Sequence, residues 1–269
     1  MGDPRTIEIR SLADFVRMTR GALVAAGLVR HEAGGAVWFE GGKPDGDPVV
    51  LVHGVNDQAG TWFTIVPALA ATHRLIIPDL AGHGESAPRE GLLPMSLLLA
   101  ELERVIGDTP GITLVGNSLG GWLSMLYTFE HPSQVKRLVL ESAGGLSRPF
   151  SSLVVATNRD EALSVIRAVH GPAFDPPEWA IDALIARAAG SPLQRIIGAD
   201  AMHVDARLHE ITAPTTILWG ADDGVLSREY GEALRDAIPN TTFHVIEKAA
   251  HIPHIQNPKR VLACLSSIL

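Results

Sequence analysis

The sequence predicts an α/β fold: a mostly parallel central sheet flanked by helices, with a helical lid inserted after the strand at 135–140. Three observations carry this. Short, largely apolar runs at 48–52, 112–115 and 135–140 read as strands of a sheet covered on both faces. Amphipathic helical patterns alternate with them, as crossovers between parallel strands require. The alternation stops at about Leu146 and resumes at Pro214, with only helical patterns between. The expected division is a core of residues 1–145 and 210–269 and a helical cap of residues 146–209.

In chain order, residues 11–29 form an amphipathic helix with Ser11 as its N-cap. Segments 28–31 and 36–40 pair as a hairpin turning at Gly34-Gly35 and ending at Gly41-Gly42. The strand at 48–52 runs into His53-Gly54-Val55-Asn56. A helix at 62–69, a strand at 73–77 and a helix at 95–106 follow, then a strand at 112–115, a helix at 122–130 and a strand at 135–140. The insertion is expected to hold helices at 162–169, 178–188 and 192–201 and no buried strand. The sheet resumes with a strand at 215–219, a helix at 228–238, a strand at 242–246 and a last helix at 258–269.

Composition narrows the function classes. With 269 residues, of which 46% are hydrophobic, the chain can hide about three quarters of its unfolded surface. A net charge of -8 and no Lys/Arg run longer than two argue against nucleic acid or an anionic membrane as partner. The lone Cys264 rules out an intrachain disulfide and a thiolate metal cluster, and its apolar helical setting implies a packed thiol. No run reaches the ~18 apolar residues of a membrane helix. Residues 21–29 resemble a signal-peptide core, but Asp3, Glu8 and Asp14 precede them and no clear cleavage site follows, so a soluble cytoplasmic protein is expected. The expected partner is a small molecule, with no cofactor or metal and with monomer and homodimer both open.

The chemistry centres on Gly116-Asn117-Ser118-Leu119-Gly120, between the strand at 112–115 and the following helix. This is a G-x-S-x-G pattern in strand–turn–helix context, where small residues on either side let a serine stand at the tip of a sharp turn. The free N–H groups and positive dipole end of the new helix lie beside Ser118 and suit an oxyanion. A serine hydroxyl also needs a base, usually a histidine held by a carboxylate. Trp219-Gly-Ala-Asp-Asp223 places acids beyond one strand, and Glu247-Lys-Ala-Ala-His251 a histidine beyond the next. The order Ser118, Asp223, His251 matches neither chymotrypsin nor subtilisin, but a third triad family.

With these motifs, and with His53-Gly54 and Asp79-Leu-Ala-Gly-His-Gly-Glu-Ser86, the chain resembles the α/β-hydrolase-fold serine hydrolases over roughly residues 30–145 and 210–269. The resemblance implies Ser118 as nucleophile, His251 as general base and acid, and Asp223 as orienting carboxylate. It implies an oxyanion hole of the backbone N–H groups of Val55 and Leu119. The family spacing favours Asp223 over Asp222. Glu141 is a second acid position used by some members of the fold, and Asp79 is expected to be structural. His53 and His83 are expected to be structural and His254 to be a packed or rim histidine, since no H-E-x-x-H accompanies it. The run 82–87 nearly fits a dinucleotide fingerprint, but Pro88 and Gly91 stand where the helix should open.

Relatives with an aspartate nucleophile, the haloalkane dehalogenases and epoxide hydrolases, are disfavoured by Ser118. Epoxide opening also uses lid tyrosines, and Tyr127 and Tyr230 both lie outside the insertion. The expected reaction is hydrolysis of carboxylic esters with small to medium apolar acyl or aryl groups, through an acyl-serine. The alternative is a carbon–carbon bond hydrolase of the meta-cleavage type. The chain resembles these through Asn117 and Gly144-Gly145, with Arg159, Arg167, Arg187 or Arg195 available for an acidic dienoate, though Ile252 replaces their tryptophan after the histidine. A ligand receptor with slow turnover on the same fold is the third reading. Leu146, Phe150, Leu153, Val154, Ile166, Trp179, Ile181, Leu184 and Ile185 are the apolar residues from which the insertion builds its own core and any pocket wall.

Overall fold

Continuous burial of the apolar runs, on both faces of the strands, sets the architecture of the computed structural model, which describes residues 8–149 and 155–269. The chain passes through α1 (Leu12–Ala25), β1 (Leu28–Ala33), β2 (Ala36–Gly42), β3 (Pro48–Val52), a 3₁₀ segment (Ala59–Thr64), α2 (Val66–Ala70), β4 (Arg74–Pro78), β5 (Leu93–Pro94) and α3 (Met95–Ile106). It continues with β6 (Ile112–Asn117), α4 (Leu119–Glu130) and β7 (Val135–Glu141), then α5 (Arg159–His170), α6 (Glu178–Ala186), α7 (Pro192–Arg195) and β8 (Ile196–Ile197). The last part holds β9 (Thr215–Gly220), α8 (Arg228–Ala237), β10 (Thr241–Ile246), α9 (Pro253–Gln256) and α10 (Pro258–Ser266).

Eight strands form one sheet in the order β1-β2-β4-β3-β6-β7-β9-β10. The pairs from β4 to β10 are parallel, and β1 and β2 join antiparallel at one edge. Successive side chains of a strand face opposite ways, so each apolar strand feeds two cores. Val50, Val52, Leu114, Leu138, Leu140, Ile217 and Trp219 face α3, α4 and α8. Val49, Leu51, Leu75, Ile77, Val115, Val139 and Leu218 face α1, α2 and α10. Burying each such side chain contributes roughly 1.5–3 kcal/mol.

The element boundaries depart from expectation in three informative places. The helix expected at 62–69 is a 3₁₀ segment followed by α2, because Pro67 has no N–H to carry a helix through. α1 stops at Ala25, where Gly27 at φ +89° turns the chain into β1. The expected helix at 192–201 survives only as the single turn α7. Ile196 and Ile197 leave it to pair in parallel with Leu93 and Pro94, and Gly198 at φ +73° is outside the helical region.

Between β7 and β9 the described residues form a separate small cluster of Ala156, Ala162, Ile166 and Ile181, with Leu163, Val165, Leu184 and Ile185 packed on it. Phe150, Leu153 and Val154 lie outside the described residues. α1 also touches this segment, since Phe15 lies 6.3 Å from Trp179 of α6 and 6.3 Å from Phe63, centroid to centroid. Cys264 is buried in the second core and burial pushes its thiol up, as a packed rather than a reactive thiol requires.

Candidate active site

The parallel strands end in register, and that brings the chemistry together. Val52 pairs with Gly116, Asn117 with Glu141, Glu141 with Leu218, and Gly220 with Ile246. His53, Ser118, Asp223 and His251 all leave this one edge, each within a few residues of its strand.

Ser118 sits between β6 and α4 at φ +54° and ψ -116°, a conformation costly for a residue with a Cβ and held only when its surroundings impose it. Its carbonyl accepts from Trp122 and Gly144 and its N–H donates to Glu141 O. A Cβ on Gly120 would run into the carbonyls of Val52 and His53, and one on Gly116 into the carbonyl of Gly120. The glycines therefore serve close packing of the turn on β3 and on itself. Gly54 closes the other side: a Cβ there would lie 3.0 Å from Asn117 Oδ1 and 3.3 Å from Ser118 Cβ.

The His53-Gly54 turn is fixed by the histidine ring. Leu80 N–H donates to His53 Nε2 at 3.0 Å, so the ring proton sits on Nδ1 and reaches Gly54 O at 2.7 Å. Val55 follows directly and is half-buried. Leu119 is the first residue of α4, where the N–H has no intrahelical acceptor.

Asp223 and His251 meet. Nδ1 of His251 lies 3.1 Å from Oδ1 and 3.0 Å from Oδ2 of Asp223. Oδ1 also accepts from Val225 N–H at 2.9 Å and Leu226 N–H at 3.0 Å, which fixes the carboxylate on its own loop. Asp222, its neighbour, is exposed. An imidazole engaged at Nδ1 by a carboxylate has Nε2 left for proton exchange. The main chain of His251 is held on both sides, its N–H donating to Val169 O at 3.0 Å and its carbonyl accepting from Asn117 Nδ2 at 2.9 Å. Gly224 N–H donates to Ala168 O at 3.0 Å, so the C-terminal carbonyls of α5 touch both the acid loop and the histidine loop.

Glu141 does not reach His251. It is buried against His254, whose N–H and Nδ1 it binds at 2.9 and 2.5 Å. His254 is thus packed and hydrogen-bonded. Asp79 is structural in the same sense: it accepts from Ala59 N–H at 2.7 Å, Glu85 N–H at 2.7 Å and Arg20 Nη2 at 2.5 Å. His83 is buried, and burial followed by the neighbouring His53 holds its imidazole down to about 3. Among the described residues no group of three metal-ligating side chains is found.

Two of the four arginines considered for an acidic dienoate are engaged elsewhere. Arg159 pairs with Glu178, and Arg195 donates to Gly91 O and Pro88 O, both at 2.7 Å. Arg167 and Arg187 are exposed. Sequence reasoning missed Arg20 and Asn56. Arg20, on the buried side of α1 with Thr19 and Leu23, is a charge on an apolar face and so signals a buried partner. Asn56, at φ +62°, accepts from Leu193 N–H at 3.1 Å and ties the His53–Asn56 loop to α7.

Comparison with known proteins returns hydrolases. The chain is 26% identical to Lipase 1 of Psychrobacter immobilis, with 82% of this chain and 76% of that protein covered. It is 27% identical to the 2-hydroxy-6-oxo-2,4-heptadienoate hydrolase of Pseudomonas putida, over 83% and 89%. Its fold superposes on the crystal structure of a bacterial membrane phospholipase A with a TM-score of 0.79, at 23% identity, covering 95% and 91%. No helix among the described residues is long and apolar enough to cross a membrane. With an alpha/beta hydrolase family model matching residues 49–263, the chain belongs to the alpha/beta hydrolase family and is a hydrolase of that fold.

Proposed function

We propose that the protein cleaves carboxylic esters through an acyl-serine intermediate on Ser118. The observation that carries this reading is the Asp223–His251 pair at the strand edge from which Ser118 rises. In the proposed cycle, Ser118 Oγ attacks the ester carbonyl carbon while Nε2 of His251 takes the hydroxyl proton. The carbonyl oxygen becomes an oxyanion held by the N–H groups of Leu119 and Val55, each donor lowering the barrier by about 3 kcal/mol. Collapse breaks the carbon–oxygen bond, and the leaving alkoxide takes the proton from Nε2. Water then gives a proton to Nε2 and attacks the acyl carbon; collapse of this second oxyanion breaks the acyl–Oγ bond, and Oγ takes the proton back from Nε2 as the acid leaves. Asp223 stays ionised and keeps the imidazole oriented. Residues 146–209 act as the cap over this edge and supply the apolar wall for the acyl or aryl group, in keeping with the contacts of α5 and α7 to the catalytic loops.

The meta-cleavage relative keeps a carbon–carbon hydrolase in view, but two observations weigh against it. Asn117 is committed to the carbonyls of His251 and Glu141, and Arg159 and Arg195 are committed to Glu178 and to backbone. Steady-state hydrolysis of a p-nitrophenyl ester series, acetyl to long acyl, by wild type and Ser118→Ala tests the proposal. Fast Ser118-dependent turnover with an optimum at short to medium chains is expected. Turnover confined to a dienoate ring-cleavage product would replace it with the carbon–carbon reading, and binding with near-single turnover by the receptor reading.

A further inference from the structure

A second carboxylate–imidazole pair, Glu141 with His254, lies at the same sheet edge and takes no part in the steps above. Glu141 is 1% exposed and His254 is fully buried. Oε1 of Glu141 accepts the His254 N–H at 2.9 Å and Oε2 meets Nδ1 at 2.5 Å. The far ring nitrogen, Nε2, lies 3.1 Å from Thr61 Oγ1, and the ring lies on Trp62 with centroids 4.1 Å apart. Taking two ionisable groups so far out of water is unfavourable, and well-packed apolar side chains would often serve stability as well or better. Stability alone is thus a poor reason for the pair.

Its place in the chain supplies another. His254 is three residues after His251, with Ile252 and Pro253 between. The backbone of His251 is anchored by Asn117 Nδ2 at the end of β6, and that of His254 by Glu141 at the end of β7. Asn117 and Glu141 are register partners in adjacent strands, and Asn117 Nδ2 also lies 3.3 Å from Glu141 O. The loop carrying His251 is therefore fixed to two neighbouring strand ends, one of them the strand that carries Ser118.

We propose that Glu141 and His254 are positioning residues for His251: by locking the histidine loop to β7 they hold its imidazole in line with Asp223 and Ser118. This rests on the assignment of His251 as general base. Misplacement of a catalytic group by about 1 Å costs on the order of 10²-fold in rate.

The test is Glu141→Gln, which keeps the shape and an acceptor for the His254 N–H but loses the carboxylate. Folded Glu141→Gln is expected to show kcat on a short ester reduced about 10²-fold with KM within about twofold. The far-downfield proton resonance of His251 Nδ1–H is expected to shift and to exchange faster with water. Should Glu141→Gln not fold, Glu141→Met with His254→Leu removes both partners without stranding a charge, and the same two changes are expected. Wild-type kcat in a folded variant, or a kcat loss with the His251 resonance unmoved, overturns the proposal. A wild type inert to esters would sink the esterase reading alone, since the resonance still reports whether His251 depends on Glu141.

Discussion

Nδ1 of His251 lies 3.0 and 3.1 Å from the two carboxylate oxygens of Asp223, and that carboxylate is itself held by the N–H groups of Val225 and Leu226. An acid fixed by its own loop can dictate the tautomer and direction of the imidazole. Asp223→Asn should therefore leave the fold intact and lower kcat about 10⁴-fold, since the amide favours the wrong tautomer. Ser118→Ala and His251→Ala should abolish nearly all turnover. Glu141→Gln, with the carboxylate one loop away on His254, should cost about 10²-fold. Parallel kinetics of these variants check the assignment: a nearly silent Asp223→Asn beside a crippled Glu141→Gln would move the acid to Glu141.

The turn from Gly116 to Gly120 leaves no room for added side-chain bulk. A Cβ on Gly120 meets the carbonyls of Val52 and His53, both backbone and neither able to step aside without moving β3. Gly120→Ala should lower stability by about 3 kcal/mol, at the upper end for overpacking, and reduce activity with it. Urea denaturation monitored through tryptophan fluorescence measures this. Gly91→Ala, where a Cβ meets nothing within 4 Å but φ is +82°, isolates the cost of backbone strain, which Gly120 in α4 does not carry.

α1 is tied to the loop that follows β4 through Arg20. The guanidinium binds Asp79 at 2.5 Å and lies 3.0 Å from Glu85, and Asp79 in turn orders Ala59 and Glu85. Arg20→Met leaves a buried carboxylate with backbone donors alone and should cost about 3 kcal/mol. Asp79→Asn in that background removes the stranded charge and should restore part of the loss. Equal destabilisation in the single and double variants would mean that the ion pair is not what α1 contributes.

The fold was legible in the sequence because parallel strands buried on both faces leave runs such as Pro48–Val52 with no polar residue to confuse the period. The convergence of Ser118, Asp223 and His251 on one sheet edge was legible because each follows a strand by a short motif, and parallel strands deliver such residues to one edge. The partner of Glu141 was not, since sequence spacing shows that a carboxylate ends β7 but not which of two histidines it faces. Arg20 and Asn56 act across 59 and 137 residues of chain, and no local pattern records such a pairing. The helix expected at 192–201 failed for a related reason: Ile196 and Ile197 fit a helical face, and only the distant Leu93-Pro94 makes them a strand.

His83 gives the protein an acid-side liability. Its ring is buried beside His53, its Nδ1 meets Ala81 O at 2.9 Å, and its Nε2 is buried with no hydrogen-bond partner among the described residues. Burial, then the coulombic effect of His53, lower its pKa from 6.5 to about 3. In the folded protein His83 therefore stays neutral down to about pH 3, whereas in the unfolded chain it takes up a proton near pH 6.5. Between those values the unfolded state binds the extra proton, so stability falls as pH falls, by up to roughly 1.4 kcal/mol per pH unit from this residue. His170, also shifted down by burial, adds a loss of the same sign. Urea denaturation at pH 7.5 and pH 5 should show His83→Gln losing about 2 kcal/mol less than wild type across that interval. Equal losses in the two proteins would mean that His83 takes up its proton without unfolding.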